Sequence, residues 1–116
     1  MTHYMNLQPQ PFSMIACGKK TIELRLWDEK RQQISVGDIL IFTNNADSSA
    51  TLQCKVKALH IFPDFGELYR ALPLLQCGYL TDELTTAAPE DMEAYYSKKQ
   101  QEKYGVVGIE LKVIPK

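Results

Sequence analysis

The sequence predicts an α+β fold: a small closed or half-closed β-barrel of about five or six strands flanked by helices. Three observations carry this. Short runs of alternating apolar and polar residues recur between clusters of turn formers. Segments with helical apolar spacing are interleaved with them rather than strictly alternating. No repeated strand–helix–strand unit appears, which disfavours a doubly wound parallel sheet. The chain has 116 residues, 45% of them hydrophobic and 23% charged. That is ordinary globular usage, and it is read as one domain over residues 1–116.

The elements follow in order. His3–Leu7 reads as a first short strand. Pro9–Cys17 reads as a helix, with Pro9 and Pro11 in a first turn that tolerates proline. Phe12, Ile15 and Ala16 form its apolar stripe, and Gly18 suits the left-handed residue that ends it. Thr21–Trp27 alternates: Ile22, Leu24 and Leu26 on one face, Thr21, Glu23, Arg25 and Trp27 on the other. Asp28–Gln33 is a polar connection. Val36-Gly37-Asp38 is a turn before the strand Ile39–Thr43, and Asn44–Ser49 reads as a hairpin loop. Thr51–Ile61 is the longest strand, with Leu52, Cys54, Val56 and Ala58 inward and Lys55 and Lys57 outward. Phe65, Leu68, Tyr69 and Leu72 have helical spacing behind an Asp64 cap, and Pro73 stops that helix. The segment 74–88 takes no regular assignment beyond a Cys-Gly-Tyr turn. Pro89–Lys103 reads as one helix, acidic at its start and basic at its end, and Val106–Ile114 as the closing strand.

Thirteen basic residues face fourteen acidic ones, for a formal charge of −1. Whole-chain charge therefore gives no drive toward nucleic acid or membrane, though a local basic patch stays open. No apolar run has the length of a membrane span. The first residues lack the basic-then-apolar order of a signal peptide, so a cytoplasmic location is expected. Cys17, Cys54 and Cys77 are widely spaced, and His3 and His60 stand alone. No metal site is expected, no cofactor is called for, and the thiols read as buried and reduced.

The segment Gly18-Lys19-Lys20-Thr21-Ile22-Glu23-Leu24-Arg25 stands out. A glycine closes a helix and a strand leaves at once, with Glu23 and Arg25 on one face and Lys20 at the junction. Any one of these charges alone reads as a solvated residue. Together, with Trp27 on the same face, they make a surface able to hold the polar edge of a base while an aromatic ring stacks on it. Tyr95 and Tyr96 are further candidates for stacking, with core packing the expected role of Tyr95. Lys98, Lys99 and Lys103 read as a solvated helix end, and His60 as structural.

Gly18, Lys20, Glu23 and Arg25 match the G-x-K-x-x-E-x-R motif, and by it the chain resembles the ASCH domain family of PUA-like β-barrels. Gly37-Asp38 resembles the family's following turn, and Lys103–Ile109 the closing segment of its small single-domain bacterial and archaeal members. The resemblance implies binding of RNA or a modified nucleoside in a cleft between barrel and helix, lined by the motif residues Gly18, Lys20, Glu23 and Arg25; with the stacking candidates Trp27, Tyr95 and Tyr96 these make the expected ligand-binding set. Some members are hydrolases, so it also implies an alternative: an amidohydrolase acting on N4-acetylcytidine, or a ribonuclease, with Lys20 and Glu23 catalytic. Those amidohydrolases carry a threonine where this chain has Glu23. For a second catalytic carboxylate the candidates are Glu67 and Glu83. A protein-interaction role for the barrel surface is a third possibility.

Overall fold

The last strand explains the architecture best. Val106–Ile109 is apolar and buried without interruption, because that half of the strand lies inside a sheet covered on both faces. The computed structural model describes residues 1–115. The strands are β1 (Thr2–Leu7), β2 (Ile22–Leu26), β3 (Ile39–Asn44), β4 (Asp47–Phe62) and β5 (Val106–Val113). They form one curled sheet, a half-barrel in the order β1-β3-β4-β5-β2. Among the described residues only the β1–β3 pairing is parallel. The helices are α1 (Pro9–Ala16), α2 (Phe65–Ala71) and α3 (Lys98–Tyr104).

Each face of the sheet has its own core. On one, Leu40, Phe42, Cys54, Val56, Val107 and Ile109 are fully buried, joined by Ile15 of α1. On the other, Ile22, Leu24, Leu26 and Val106 pack against Phe65 and Leu68 of α2. Strand β2 separates the two by simple alternation. Its odd-numbered residues lie opposite Val107 and Ile109, so Glu23 and Arg25 project to the face of the first core.

Several expectations are corrected. Lys57 is an extra residue in β4: pairing passes from Val56 with Leu111 to Ala58 with Glu110. This bulge reverses the alternation, so Leu59 rather than Ala58 packs on the first core. The Asn44–Ser49 loop is tighter than expected. Asn44 ends β3 and Asp47 begins β4, because Asn44 Oδ1 accepts from the Ala46 amide and Asp47 Oδ1 from the Ser49 amide. The helix expected over Pro89–Lys103 is two elements. A 3₁₀ turn covers Pro89–Ala94, and α3 starts afresh at Ser97, whose Oγ accepts from the Gln100 amide while Gln100 Oε1 accepts from the Ser97 amide. Cys54 and Cys77 are buried as expected, but Cys17 is exposed at the end of α1. Among the described residues, no helix is long and apolar enough to cross a membrane.

Candidate functional site

Helix α1 ends at Ala16, and Gly18 takes φ +84°, a conformation that glycine adopts without strain. The chain then turns tightly, with the amides of Lys19 and Lys20 both donating to the Met14 carbonyl. The next two amides, Thr21 and Ile22, donate to the Gln76 carbonyl. That bond ties the start of β2 to the segment 74–79 and lays the Lys20 side chain beneath Gly78. Gly78 has φ +108°, and a Cβ there would lie 3.1 Å from Lys20 Cδ. The Cys-Gly-Tyr turn thus has a steric reason for its glycine.

At the base lies an ion triad. Lys20 Nζ is 2.8 Å from Glu23 Oε1, and Arg25 Nε donates to Glu23 Oε2 at 2.7 Å. Arg25 Nη2 also donates to the Asn6 carbonyl at 2.8 Å, linking the two edge strands β1 and β2 across the seam of the half-barrel. Glu23 is 4% exposed. Burial raises its pKa, but the charges and hydrogen bonds of Lys20 and Arg25 outweigh burial and hold it below its ordinary value. The triad carries one net positive charge. Lys20 has three N–H donors and Arg25 five, so donors remain for a further partner.

Above the triad opens a cleft of about 490 Å³. Asn6, Gln10 and Met14 form one wall. The other is aromatic: Tyr69 of α2, Tyr79, Tyr95 and Tyr96. Tyr69 and Tyr79 are joined hydroxyl to hydroxyl at 2.6 Å, and Tyr79 donates to Asp91 Oδ2 at 2.7 Å. Burial pushes the Tyr69 hydroxyl up to about 12. Tyr79 is raised further, by burial and by its bonds to Tyr69 and Asp91. Cys77 also faces the cleft, and burial pushes its thiol up to about 11, so it stays protonated and weakly nucleophilic at neutral pH.

Of the residues singled out in the sequence, Lys20, Glu23, Arg25, Tyr95 and Tyr96 meet at this cleft. Gly18 does not line it and borders a smaller cavity of about 350 Å³ beside Cys17 and Thr21. Trp27 does not reach the cleft either. It follows β2 with the parity of Glu23 and Arg25, but there that face is filled by the first core, against which the indole is half-buried. Tyr95 is 69% exposed rather than packed. Tyr96 takes the core role, stacked on Phe65 with ring centroids 6.1 Å apart. Glu83 lines the cleft, but its Oε1 accepts from the Leu80 amide. Glu67 lies on α2 near Arg70, at 3.6 Å, outside the cleft. His60 pairs with Glu110 at 3.0 Å, away from the cleft. Sequence reasoning missed Tyr69, Tyr79 and Asp91. Tyr69 looked like part of a core stripe, and the two others lay in a segment without periodicity or in a first helical turn.

Comparison with known proteins bears on this geometry. The ASCH domain model matches residues 5–115. The chain belongs to the ASCH domain family. This ASCH chain is similar to hypothetical protein PH0355, known from a crystal structure: 34% identity, TM-score 0.81, covering 98% of this chain and 100% of that one. It is also similar to protein PF0455 from Pyrococcus furiosus, solved by solution NMR, with 30% identity, TM-score 0.71 and 100% of both chains covered. The ASCH protein from Zymomonas mobilis shares the fold at 16% identity and TM-score 0.54, over 94% of this chain and 65% of that one. No curated protein matches.

Proposed function

We propose that this ASCH domain binds RNA or a modified nucleoside, with one nucleoside unit seated in the cleft. The observation that carries the reading is the juxtaposition of a buried, donor-rich Lys20–Glu23–Arg25 floor with a tyrosine wall in one cleft of about 490 Å³. Lys20 and Arg25 meet acceptor atoms of the base or a phosphate oxygen. Exposed Tyr95 stacks on a base, a contribution of about 1–3 kcal/mol. Binding is favoured over hydrolysis by the state of Glu23. A carboxylate shared between two cations and held below its ordinary pKa is a weak proton acceptor, and so a poor general base.

The test is a titration of the protein with short labelled single-stranded RNAs and with N4-acetylcytidine. Wild type binds, and Lys20→Ala weakens binding by roughly tenfold or more, as for loss of a charge-assisted hydrogen bond. An absence of binding to every probe, or affinities indifferent to Lys20→Ala, removes the reading. Conversion of N4-acetylcytidine to cytidine, lost in Glu23→Ala, would select hydrolysis instead.

A further inference from the structure

The aromatic wall has a fixed hydrogen-bond polarity. Asp91 opens a 3₁₀ turn, where its Oδ2 accepts from the Ala88 amide at 3.2 Å. The same oxygen accepts the Tyr79 proton at 2.7 Å. A phenol has one proton. Tyr79 has spent its own on Asp91, so toward Tyr69 it can only accept, and the 2.6 Å bond between the hydroxyls takes its proton from Tyr69. Tyr69 Oη is then left with lone pairs and no proton for anything else in the cleft. Lys20 and Arg25, which line the same cleft, have N–H groups and no lone pairs to offer. Tyr69 Oη thus only accepts, and the two cations of the floor only donate.

We infer that the cleft selects an amino-bearing base: Tyr69 accepts from the exocyclic amine while Lys20 or Arg25 donates to the acceptor atoms of the same base. Cytosine and adenine carry an amino group where uracil and hypoxanthine carry a carbonyl oxygen. A carbonyl at that place sets its lone pairs against those of Tyr69, with no proton between them. A buried acceptor facing an acceptor forfeits the hydrogen bond and its desolvation, which is a stronger source of discrimination than a size difference. Tyr79 and Asp91 are positioning residues: they act by fixing which way the Tyr69 proton points. The inference rests on the nucleoside reading of the cleft and adds to it which bases are taken.

The experiment titrates the full chain with two matched pairs, cytidine against uridine monophosphate and adenosine against inosine monophosphate. Wild type favours the amino member of each pair by roughly tenfold. Tyr69→Phe brings that ratio close to one. Tyr79→Phe frees the Tyr69 proton to turn toward the ligand, so the ratio falls or inverts, an effect a merely structural Tyr79 would not produce. Equal wild-type affinities within both pairs, or a ratio that survives in both phenylalanine variants, overturns the inference while the nucleoside reading stands. Failure of all four nucleotides to bind overturns the inference, and overturns the nucleoside reading too when the short RNAs and N4-acetylcytidine also fail to bind. One readout needs no ligand: the Tyr69 hydroxyl-proton resonance shifts in Tyr79→Phe, and an unchanged resonance refutes the fixed polarity by itself.

Discussion

Glu23 is held by two nitrogen groups and Asp38 by three, in contrasting places. Glu23 lies between Lys20 and Arg25 on the cleft floor, with all three side chains nearly buried. Asp38 stands at the margin of the sheet, before β3. There His3 Nε2 lies 2.8 Å from its Oδ2, the Met1 amino group 3.3 Å from its Oδ1, and the Ser35 amide donates to it at 3.0 Å. Asp38 thus secures the parallel β1–β3 pair. Its Met1 partner is 73% exposed, so water can replace that one at little cost, while His3 and Asp38 themselves are 12% and 14% exposed. The Glu23 cluster has no such substitute: remove the carboxylate and two cations remain in a water-poor site. The comparison teaches that a carboxylate held by an imidazole, a backbone amide and an exposed amino group staples two strands, whereas one shared by two nearly buried cations makes a preorganised cleft floor.

The largest effect expected is from Glu23→Ala. Breaking a buried pair from one side costs about 3–5 kcal/mol, and urea denaturation should show a loss of that size together with loss of ligand binding. A loss below about 1 kcal/mol would mean that the triad is solvated like an exposed pair, and the contrast would collapse. Next comes Gly78→Ala. It places a Cβ against Lys20 Cδ at 3.1 Å and forces a positive φ on alanine. Strain and overpacking together are expected to cost about 1–3 kcal/mol. Because the Lys20 side chain must shift, weaker RNA binding should accompany the loss of stability, whereas binding left intact would show that Lys20 is held by Glu23 alone.

Acid offers a third test, with a definite sign. Both carboxyls lie below their ordinary values: Glu23 below 4.5, and Asp38 from 3.8 to about 2, the latter through its His3 and Ser35 hydrogen bonds first. Each stabilises the fold above its unfolded-state pKa and ceases to do so as pH falls through its folded-state value. Wild-type stability should therefore hold down to the ordinary carboxylate range and then drop toward pH 2. Glu23→Gln and Asp38→Asn should each flatten part of that drop. The smallest effect is expected from Asp38→Asn at neutral pH: a slight fall in Tm, with RNA affinity equal to wild type. A change in affinity in that variant would link the sheet margin to the cleft.

The sequence was most legible where periodicity and a compact motif coincide. The alternation of Thr21–Trp27 located β2 to within one residue at each end and put Glu23 and Arg25 on one face, as found. It read less well wherever a local exception outweighs periodicity. The Lys57 bulge turned Leu59 inward in place of Ala58, and Ser97, a capping residue inside an apparently continuous helix, split that helix in two. Among the site residues, parity was right for Trp27 but silent about what occupies that face, and adjacency alone did not reveal which of Tyr95 and Tyr96 would be packed.

The sequence alone determined the element types, the charged segment at the end of α1 and the identities of the three ionic side chains, because these depend on neighbours along the chain. The tertiary structure decided the rest. Arg25 meets Asn6 across the sheet seam, Gly78 presses on Lys20, and Tyr69, Tyr79 and Asp91 form one hydrogen-bonded line. Each joins residues from different elements, and the distance between them is set by how the sheet curls and how loop 74–88 folds back over it. No local pattern encodes that distance, because it is the outcome of packing both faces of one sheet at once.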